Sequence, residues 1–448
     1  NWNRFFFYFT SKNSYHPIKQ GLSLFLGVKN WGYSNEDFLA KVYGNRSKPF
    51  TNAVKSLFVS VLTRNSTLVK DLSALLRHSR KKDECKRTQE MVSRWLSNYS
   101  FSGALGSYLL DSFSGYVTEQ TTVAIDFSDI SKEFGGAGME GMEMGWDGSR
   151  GCVAMGHDFI SVSIVGAEHK DAVPLYMKLG KGRHCKEELL YDAIDCVMEK
   201  TDGKGWMVVD RGLDDAKFIH RMKRDRRNVV VRIKEMGRDV FGNGRRIDET
   251  LERFVFEKTV LNTYRGARSA QVRFAVGIMQ YCVTPKVKDA PVYESKVLVV
   301  ESRFNGNSIY MYVVCPDEVV DDPGLMRAYA IKAAQAYCDR WQIETSFQTV
   351  KQEFRLEDAR VRTFKRLENI FALCVMAYVF MTKYLRGSKR FKKIIKLLGD
   401  NVETLAFKIH SLLSAIRELY LEAKVRFITG RPRKAEKSDS AQMFFVLE

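Results

Sequence analysis

The chain lacks several features that would identify common classes of protein. None of its eight cysteines lies in a CxxC pair, which argues against a zinc site or a disulfide framework and is typical of a reducing compartment. No apolar run approaches the roughly 18 residues of a membrane span. The aromatic N-terminal stretch NWNRFFFYFT is too short for the apolar region of a signal peptide. These absences predict a cytoplasmic protein.

Motifs for nucleotides and zinc are missing or incomplete. Residues 136–141, GAGMEG, have GxGxxG spacing, but glycines continue through Gly151 and no helix is predicted to begin there. A dinucleotide site needs these glycines at a turn between a strand and a helix, so we interpret the segment as a loop. No Walker-type lysine motif is present. His184 and Cys185 have no second ligand pair at the spacing of a zinc site. We therefore expect no nucleotide cofactor.

Negative charge is in deficit. The chain has 71 Lys and Arg against 53 Asp and Glu, a net charge of +18. This excess favours a polyanionic partner, nucleic acid first and an anionic membrane second. Basic residues concentrate in an N-terminal segment with helical periodicity, at Arg77, Arg80, Lys81, Lys82, Lys86 and Arg87. We predict that this segment binds DNA ends; a solvated helix face is the alternative.

Changes in apolar periodicity divide the chain into five segments, and the element order of the second segment indicates an α/β fold. In chain order they are a helical segment predicted to bind DNA at 1–118, an α/β segment at 119–234, a β-rich stretch at 235–322, a segment with a buried helix at 323–388, and a C-terminal helical region with a basic disordered tail at 389–448. The α/β segment has the element order β-β-β-α-β-α-β.

Three carboxylates lie on three different predicted elements. The strand TTVAID ends at Asp126, the strand GWMVVD ends at Asp210, and Glu344 lies on a helix. Carboxylates at strand ends can face one cleft, and a helix can place a third across it. Such hard oxygen ligands suit Mg²⁺, for which Mn²⁺ can substitute, and two ions would serve phosphodiester chemistry. Each Asp alone is better explained as a turn residue.

The segment AYCDRWQIETSFQTVKQEF, residues 336–354, has two chemically different faces when it is read as an α-helix. One face is an apolar stripe with the spacing of a buried surface. It consists of Ile343, Phe347, Val350 and Phe354. The other face spans an arc of about 100°. It carries Tyr337, Arg340, Trp341, Glu344, Gln348 and Lys351. A solvated face with an Arg–Glu pair is the alternative explanation of this second set.

The same helix has a specific resemblance to a known family. It fits the pattern Y-x2-R-x3-E-x6-K at Tyr337, Arg340, Glu344 and Lys351, and so resembles the hallmark of DDE transposases of the IS-four insertion-sequence family. The segment AIDFSDISK is similar to the region of the first family aspartate, and VVDRGLDD to that of the second. The resemblance covers about residues 121–385.

This resemblance implies an RNase H-like mixed-sheet core with a β-rich insertion, flanked by helices at both ends. It implies that Asp126, Asp210 and Glu344 bind the metal, and that Tyr337, Arg340 and Lys351 grip a DNA phosphate near the cleaved end. Arginine offers phosphate a planar fork and lysine a point charge. Arg211, Trp341 and Gln348 are further candidates for DNA contact.

The chain departs from the family at one point. Some members hold a flipped DNA base against a tryptophan of the insertion, and this chain has no Trp between Trp206 and Trp341. Phe304, Tyr310 and Tyr312 are the aromatic residues that could stack instead. The departure puts a hairpin-forming cleavage pathway in doubt, but it does not affect strand nicking or strand transfer.

The resemblance implies a prokaryotic cut-and-paste transposase. Water would cleave the phosphodiester at the element's end, and the freed 3′-hydroxyl would then attack target DNA. The expected partners are terminal inverted repeats, target DNA and a second copy of the chain in a synaptic complex associated with the nucleoid. Two alternatives stay open: a catalytically inactive or domesticated DNA-binding protein, and an RNase H-like nuclease without strand transfer.

Overall fold

The structure is a computed structural model, and it describes only part of the chain. The described residues are 35–44, 46–64, 66–76, 81–132, 138–148, 150–169, 171–263, 266–283, 291–385 and 413. Arg77 and Arg80 of the basic cluster lie outside them, as does the predicted C-terminal region 389–448 apart from residue 413. Within the described ranges, no helix combines the length and apolar composition of a membrane span.

The chain divides into two compact units, each built from separated segments. The first unit comprises Asn1–Tyr108, Ile130–Gly156 and Gln348–Glu448. The second unit comprises Leu109–Asp129 and His157–Phe347. The boundaries of the five predicted domains stay predictions.

Helices occupy both ends of the described chain. They are α1 (Asn35–Tyr43), α2 (Lys48–Arg64), α3 (Val69–Leu72), α4 (Lys82–Asn98), α5 (Ser102–Phe113), α6 (Lys186–Lys200), α7 (Ala216–Arg224), α8 (Ile247–Leu251), α9 (Asp317–Val320), α10 (Pro323–Gln348) and α11 (Phe364–Val379). A π-helical turn, Thr349–Glu353, directly follows α10, and another, Phe380–Leu385, follows α11.

Strands occupy the middle of the chain. They are β1 (Thr122–Ser131), β2 (Glu143–Asp147), β3 (Cys152–Val165), β4 (Val173–Leu179), β5 (Trp206–Val209), β6 (Asn228–Arg232), β7 (Glu257–Thr263), β8 (Gly266–Cys282), β9 (Val292–Phe304) and β10 (Asn307–Val314). The predicted strands are present, and β2 is an additional one. The predicted end of the first strand at Asp126 is wrong, since β1 continues to Ser131.

The first unit has a helical core. Phe38 packs against the rings of Phe58, Tyr108 and Phe380, with ring centroids 5.5–5.9 Å apart. Helix α11 is buried from Asn369 to its end at Val379, and it packs against α2 and α4. Its buried polar residue, Asn369, donates to the carbonyl oxygens of Leu96 and Tyr99, both at 2.8 Å. These bonds satisfy an amide that would otherwise be costly to bury.

The second unit is organised around a mixed sheet with the strand order β3-β1-β5-β6-β10-β9-β8-β7, and β4 pairs with β3. Strands β1, β5 and β6 are parallel neighbours. Their apolar runs, such as WMVV in β5, are buried, as expected for parallel strands that are covered on both faces. Strand β10 joins β6 in antiparallel pairing.

The β-rich stretch predicted between the second aspartate and the helix belongs to this same sheet. Strands β7, β8, β9 and β10 pair consecutively and antiparallel, and β10 connects them to the parallel strands. The predicted α/β class with a large mixed sheet and helices at both ends is therefore confirmed. The assignment of this α/β sheet to the RNase H-like fold stays a prediction.

Candidate active site

The two predicted aspartates lie at the same level of neighbouring parallel strands. Ile125 of β1 is in register with Val209 of β5, so Asp126 and Asp210 are the next residue on each strand. The pairing of β1 with β5 ends at this level even though β1 itself continues. Because the carboxyl ends of parallel strands meet at one edge of a sheet, open α/β sheets commonly bind ligands there.

Helix α10 contributes the third carboxylate, and two of its other side chains contact the two aspartates. The guanidinium of Arg340 donates from Nη1 to Asp126 Oδ2 at 2.6 Å and from Nη2 to Glu344 Oε1 at 2.8 Å. The hydroxyl of Tyr337 donates to Asp210 Oδ1 at 3.0 Å. Residues four apart on a helix face the same way, which explains why Arg340 and Glu344 meet. Arg340 and Tyr337 are buried, at 5% and 9% exposure, so neither belongs to a solvated face.

The electrostatics of the site differ between the two aspartates. Burial raises the pKa of Asp126 to about 6, against the opposing effect of the Arg340 guanidinium, and the charges of Asp210 and Glu344 raise it further. Burial also acts to raise the pKa of Asp210, but Arg340, the Arg211 backbone N–H and the Tyr337 hydroxyl outweigh it, so that this pKa is lowered overall. Asp126 is thus the carboxylate with the greatest need of a further cation.

Arg232 belongs to this site and was missed by the sequence reasoning. Its Nη1 lies 3.4 Å from Asp210 Oδ1, and its guanidinium lies 6.0 Å from the ring centroid of Tyr337. Strand pairing reveals its place: Val231 of β6 is in register with Val209 of β5, so Arg232 follows at the level of Asp210. This register comes from the tertiary structure, and no pattern within the strand indicates it.

The segment DRGLDD gives each of its three acids a separate task. Asp210 lies in the site. Asp214 accepts from the backbone N of Lys234 at 2.9 Å and from Arg238 Nη1 at 2.7 Å, which fixes the chain just after β6. Asp215 caps α7 by accepting two backbone N–H groups, the usual role of Asp at a helix start.

The remaining predicted DNA-contact residues differ in exposure and in the unit to which they belong. Trp341 is 56% exposed and Arg211 is exposed, both in the second unit. Gln348 and Lys351 belong to the first unit, where Lys351 Nζ lies 3.2 Å from Glu357 Oε1. Their contact with DNA stays a prediction. The burial of the apolar stripe is confirmed at Ile343, Phe347, Val350 and Phe354. The single α-helix predicted over 336–354 is wrong, because α10 ends at Gln348 and a π-helical turn follows it.

One of the aromatic residues proposed to replace the missing tryptophan is excluded. Tyr312 is fully buried in β10, with the Arg238 guanidinium 5.7 Å from its ring centroid. A side chain buried in the sheet cannot stack on a DNA base, so that assignment was wrong. Phe304 and Tyr310 are partly exposed.

The carboxylates of the site are the type of ligand that binds a divalent cation, but they do not converge on one position. Carboxylate oxygens are the ligands that Mg²⁺ prefers, and Asp126, Asp210 and Glu344 each offer them; the pKa of Asp126 is raised chiefly by its burial. Across the described ranges, however, no three Asp, Glu, His or Cys side chains are close enough together to hold one ion. The group that connects Asp126 to Glu344 is the Arg340 guanidinium.

Comparison with known proteins supports a DDE transposase family. Residues 192–380 match the family model described as "Transposase DDE domain". The matched stretch contains Asp210, Tyr337, Arg340, Glu344 and Lys351, and it begins after Asp126. A comparison with curated proteins gives no match.

Among solved structures, one similar chain is that of the "Cryo-EM structure of piggyBac transposase synaptic complex with hairpin DNA". The two chains are 10% identical with a TM-score of 0.40, and the alignment covers 96% of this chain and 84% of that chain. A likeness of this size establishes neither a shared fold nor a shared activity.

Proposed function

We propose that the protein is a cut-and-paste DNA transposase of the IS-four family. It hydrolyses the phosphodiester at the ends of an insertion sequence and joins the freed 3′-hydroxyl to target DNA. The observation that supports this is the bridge from Asp126 through Arg340 to Glu344, beside Asp210, within a chain whose residues 192–380 match a transposase DDE domain. A homodimer on two element ends, in a prokaryotic cytoplasm, is part of the proposal.

The acidic site and a DNA substrate repel each other, so a cation is required between them. Asp126, Asp210 and Glu344 are the residues that would hold Mg²⁺ or Mn²⁺, with two ions proposed. When bound, such ions would lower the pKa of the attacking water and neutralise charge on the leaving oxygen. The two aspartates follow the last residues at which β1 and β5 pair, and this position suits the role because open α/β sheets bind ligands beyond the carboxyl ends of their parallel strands.

The cationic and aromatic residues of α10, and Lys351 of the π-helical turn after it, position the substrate in this proposal. The planar fork of Arg340 can bind two phosphate oxygens as it binds carboxylate oxygens. Tyr337 lies against Arg340, with the guanidinium carbon 5.3 Å from its ring centroid, and this contact limits the orientations of the fork. Lys351 adds a point charge toward phosphate. Arg232 lies at the same edge of the sheet and extends the positive charge around Asp210.

Strand transfer provides the test. A labelled duplex carrying the DNA ends that flank the gene is incubated with plasmid and Mg²⁺. We expect a cleaved end and a labelled plasmid product, both lost in Asp126→Ala, Asp210→Ala and Glu344→Ala, while gel retardation of the duplex persists. Cleavage without joining would instead support a nuclease. Binding without either reaction would support an inactive DNA-binding protein.

A further inference from the structure

Arg340 occupies the position between two of the carboxylates assigned to metal binding. One nitrogen of its guanidinium contacts Asp126 and another contacts Glu344, at 2.6 Å and 2.8 Å. The residue is 5% exposed, and one face of its guanidinium lies toward the Tyr337 ring. The arginine of this ion pair is buried and its two carboxylate partners are partly buried, which distinguishes it from an exposed pair on a helix surface.

The same carboxylate oxygens cannot serve Arg340 and a divalent cation equally well. Asp126 Oδ2 and Glu344 Oε1 are both committed to the guanidinium, and two positive groups at one position repel each other. No three ligating side chains among the described residues converge on a single point. In this structure the Arg340 guanidinium lies between two of the carboxylates that would hold the ion.

The guanidinium also retains capacity for another acceptor. The Nε atom of Arg340 is buried and has no hydrogen-bond partner among the described residues. A buried donor without an acceptor is costly, so an anion that accepts from Nε and from one Nη removes that cost. A phosphodiester oxygen pair matches the spacing of this fork as a carboxylate does.

We propose that Arg340 is a positioning residue that neutralises the acidic triad in the free protein and leaves it for a DNA phosphate, so that divalent-cation binding is coupled to DNA binding. This inference rests on the proposed function. DNA withdraws the resident positive charge from Asp126 and Glu344, and it thereby frees the oxygens that hold the ion. Because such coupling is reciprocal, the ion also strengthens DNA binding by the same factor.

The first test measures Mn²⁺ affinity without DNA. Free Mn²⁺ is titrated by electron paramagnetic resonance against the full-length wild type, Arg340→Gln and Arg232→Gln. We expect Arg340→Gln to bind Mn²⁺ roughly tenfold more tightly than the wild type, since a charge-assisted contact no longer competes. Arg232→Gln removes one positive charge beside Asp210 and leaves the Arg340–Asp126 contact in place, so we expect a smaller gain in Mn²⁺ affinity. Melting by circular dichroism identifies variants that fail to fold, and Arg340→Lys then serves as the second variant.

Two results of this test overturn the inference. One is a folded Arg340→Gln protein whose Mn²⁺ affinity equals or falls below that of the wild type, or a folded Arg340→Lys protein that binds Mn²⁺ more weakly than the wild type. The other is an equal gain in Arg340→Gln and Arg232→Gln, because general charge removal would then explain the effect. Arg327→Gln, on the same helix and paired with the exposed Glu257, is the control for which no change is expected.

The second test measures the coupling itself. A short oligothymidylate serves as the phosphodiester probe, and the Mn²⁺ titration is repeated at a saturating concentration of it. The wild type is expected to gain Mn²⁺ affinity, and Arg340→Gln to show no gain. Equal gains in both proteins would overturn the inference. Neither measurement depends on cleavage, so a protein that shows the coupling but fails in strand transfer retains this property and loses the proposed function.

Discussion

At the scale of single residues, the site depends on how much burial each charge experiences. Arg340, Asp126 and Tyr337 would contribute little if they were solvated, since exposed ion pairs are worth about 0–1 kcal/mol. Here the guanidinium is almost fully buried and joins two carboxylates. Its geometry therefore matters as well as its charge, and substitutions that keep the charge are informative.

Replacing Arg340 by Lys tests the planar fork. Lysine keeps the positive charge but makes one contact where arginine makes two, so we expect a loss on the order of 1.5–3 kcal/mol in transition-state stabilisation. This corresponds to one to two decades in the cleavage rate of a pre-bound end duplex, measured at saturating Mg²⁺. Arg327→Lys on the same helix should match the wild type. Equal rates for Arg340→Lys and the wild type would remove the phosphate role from Arg340.

A second residue-scale prediction concerns Asp339, beside the site on α10. Burial raises its pKa from 3.8 to about 7, opposed by a hydrogen bond from Gln335 and by Lys332, while Glu168 raises it further. Between about pH 4 and 7 the folded state then binds more protons than the unfolded state, so this group makes stability fall as pH rises. Above about pH 7 its effect is constant.

We therefore expect Asp339→Asn to stabilise the protein more at pH 8 than at pH 4, by up to about 4 kcal/mol in the free energy of unfolding. Urea titrations at the two pH values provide the measurement. The control is Asp321→Asn, which changes an exposed carboxylate paired with Lys296. A stability difference between Asp339→Asn and the wild type that is the same at both pH values would contradict the assigned pKa shift.

At the scale of elements, the antiparallel strands are tied together by a buried charge cluster. Glu301 of β9 is fully buried and pairs with Arg273 of β8, with 2.5 Å between Glu301 Oε2 and the guanidinium. The Ser308 hydroxyl donates to the other oxygen of Glu301 at 2.6 Å. The ring of Phe256 lies 4.4 Å from the guanidinium carbons of both Arg273 and Arg303. Both oxygens of the Glu301 carboxylate therefore accept hydrogen bonds.

Glu301→Ala should accordingly destabilise the second unit. Removing one partner of a buried pair leaves Arg273 charged and unpaired, which costs about 3–5 kcal/mol. The free energy of unfolding, from chemical denaturation, is the quantity to compare. Glu257→Ala breaks an exposed pair with Arg327 and should cost less than about 1 kcal/mol. Equal losses in the two variants would mean that burial adds nothing to the pair of Glu301 and Arg273.

At the scale of the whole molecule, the net charge of +18 makes DNA binding a question of ionic strength. The described part of the N-terminal basic cluster is exposed, at Lys81, Lys82, Lys86 and Arg87, as a DNA-binding surface requires. Deleting residues 1–118 would be a poor test, because α11 packs against α2 and α4. Substitution on the surface leaves that core intact.

The matching prediction replaces Lys82, Lys86 and Arg87 together by Gln. Each lost phosphate contact should lower the slope of log affinity against log salt by about 0.9, so the variant should bind end duplexes more weakly and with less salt dependence. Fluorescence anisotropy over a series of KCl concentrations measures both quantities. The control changes Arg224, Arg226 and Lys296, exposed residues of the second unit. Identical salt slopes for the variant and the wild type would place DNA recognition elsewhere in the chain.

The sequence by itself determined the properties that depend on local chemistry and periodicity. The segment GWMVVD predicted β5, the element order β-β-β-α-β-α-β predicted the helices and strands around it, and the apolar stripe predicted the buried side chains from Ile343 to Phe354. The same local patterns identified Asp210 and Glu344 as candidates. Each of these conclusions follows from side-chain type and spacing along one element, which folding does not alter.

Only the tertiary structure decided how these elements meet. Strand register places Asp126, Asp210 and Arg232 at one level, and register arises from pairing between strands that are distant in sequence. The burial of Tyr312 depends on strand β10 joining β6. The position of Arg340 between Asp126 and Glu344 depends on both the helix and the sheet. These contacts are long-range, so no pattern within a single segment could have predicted them.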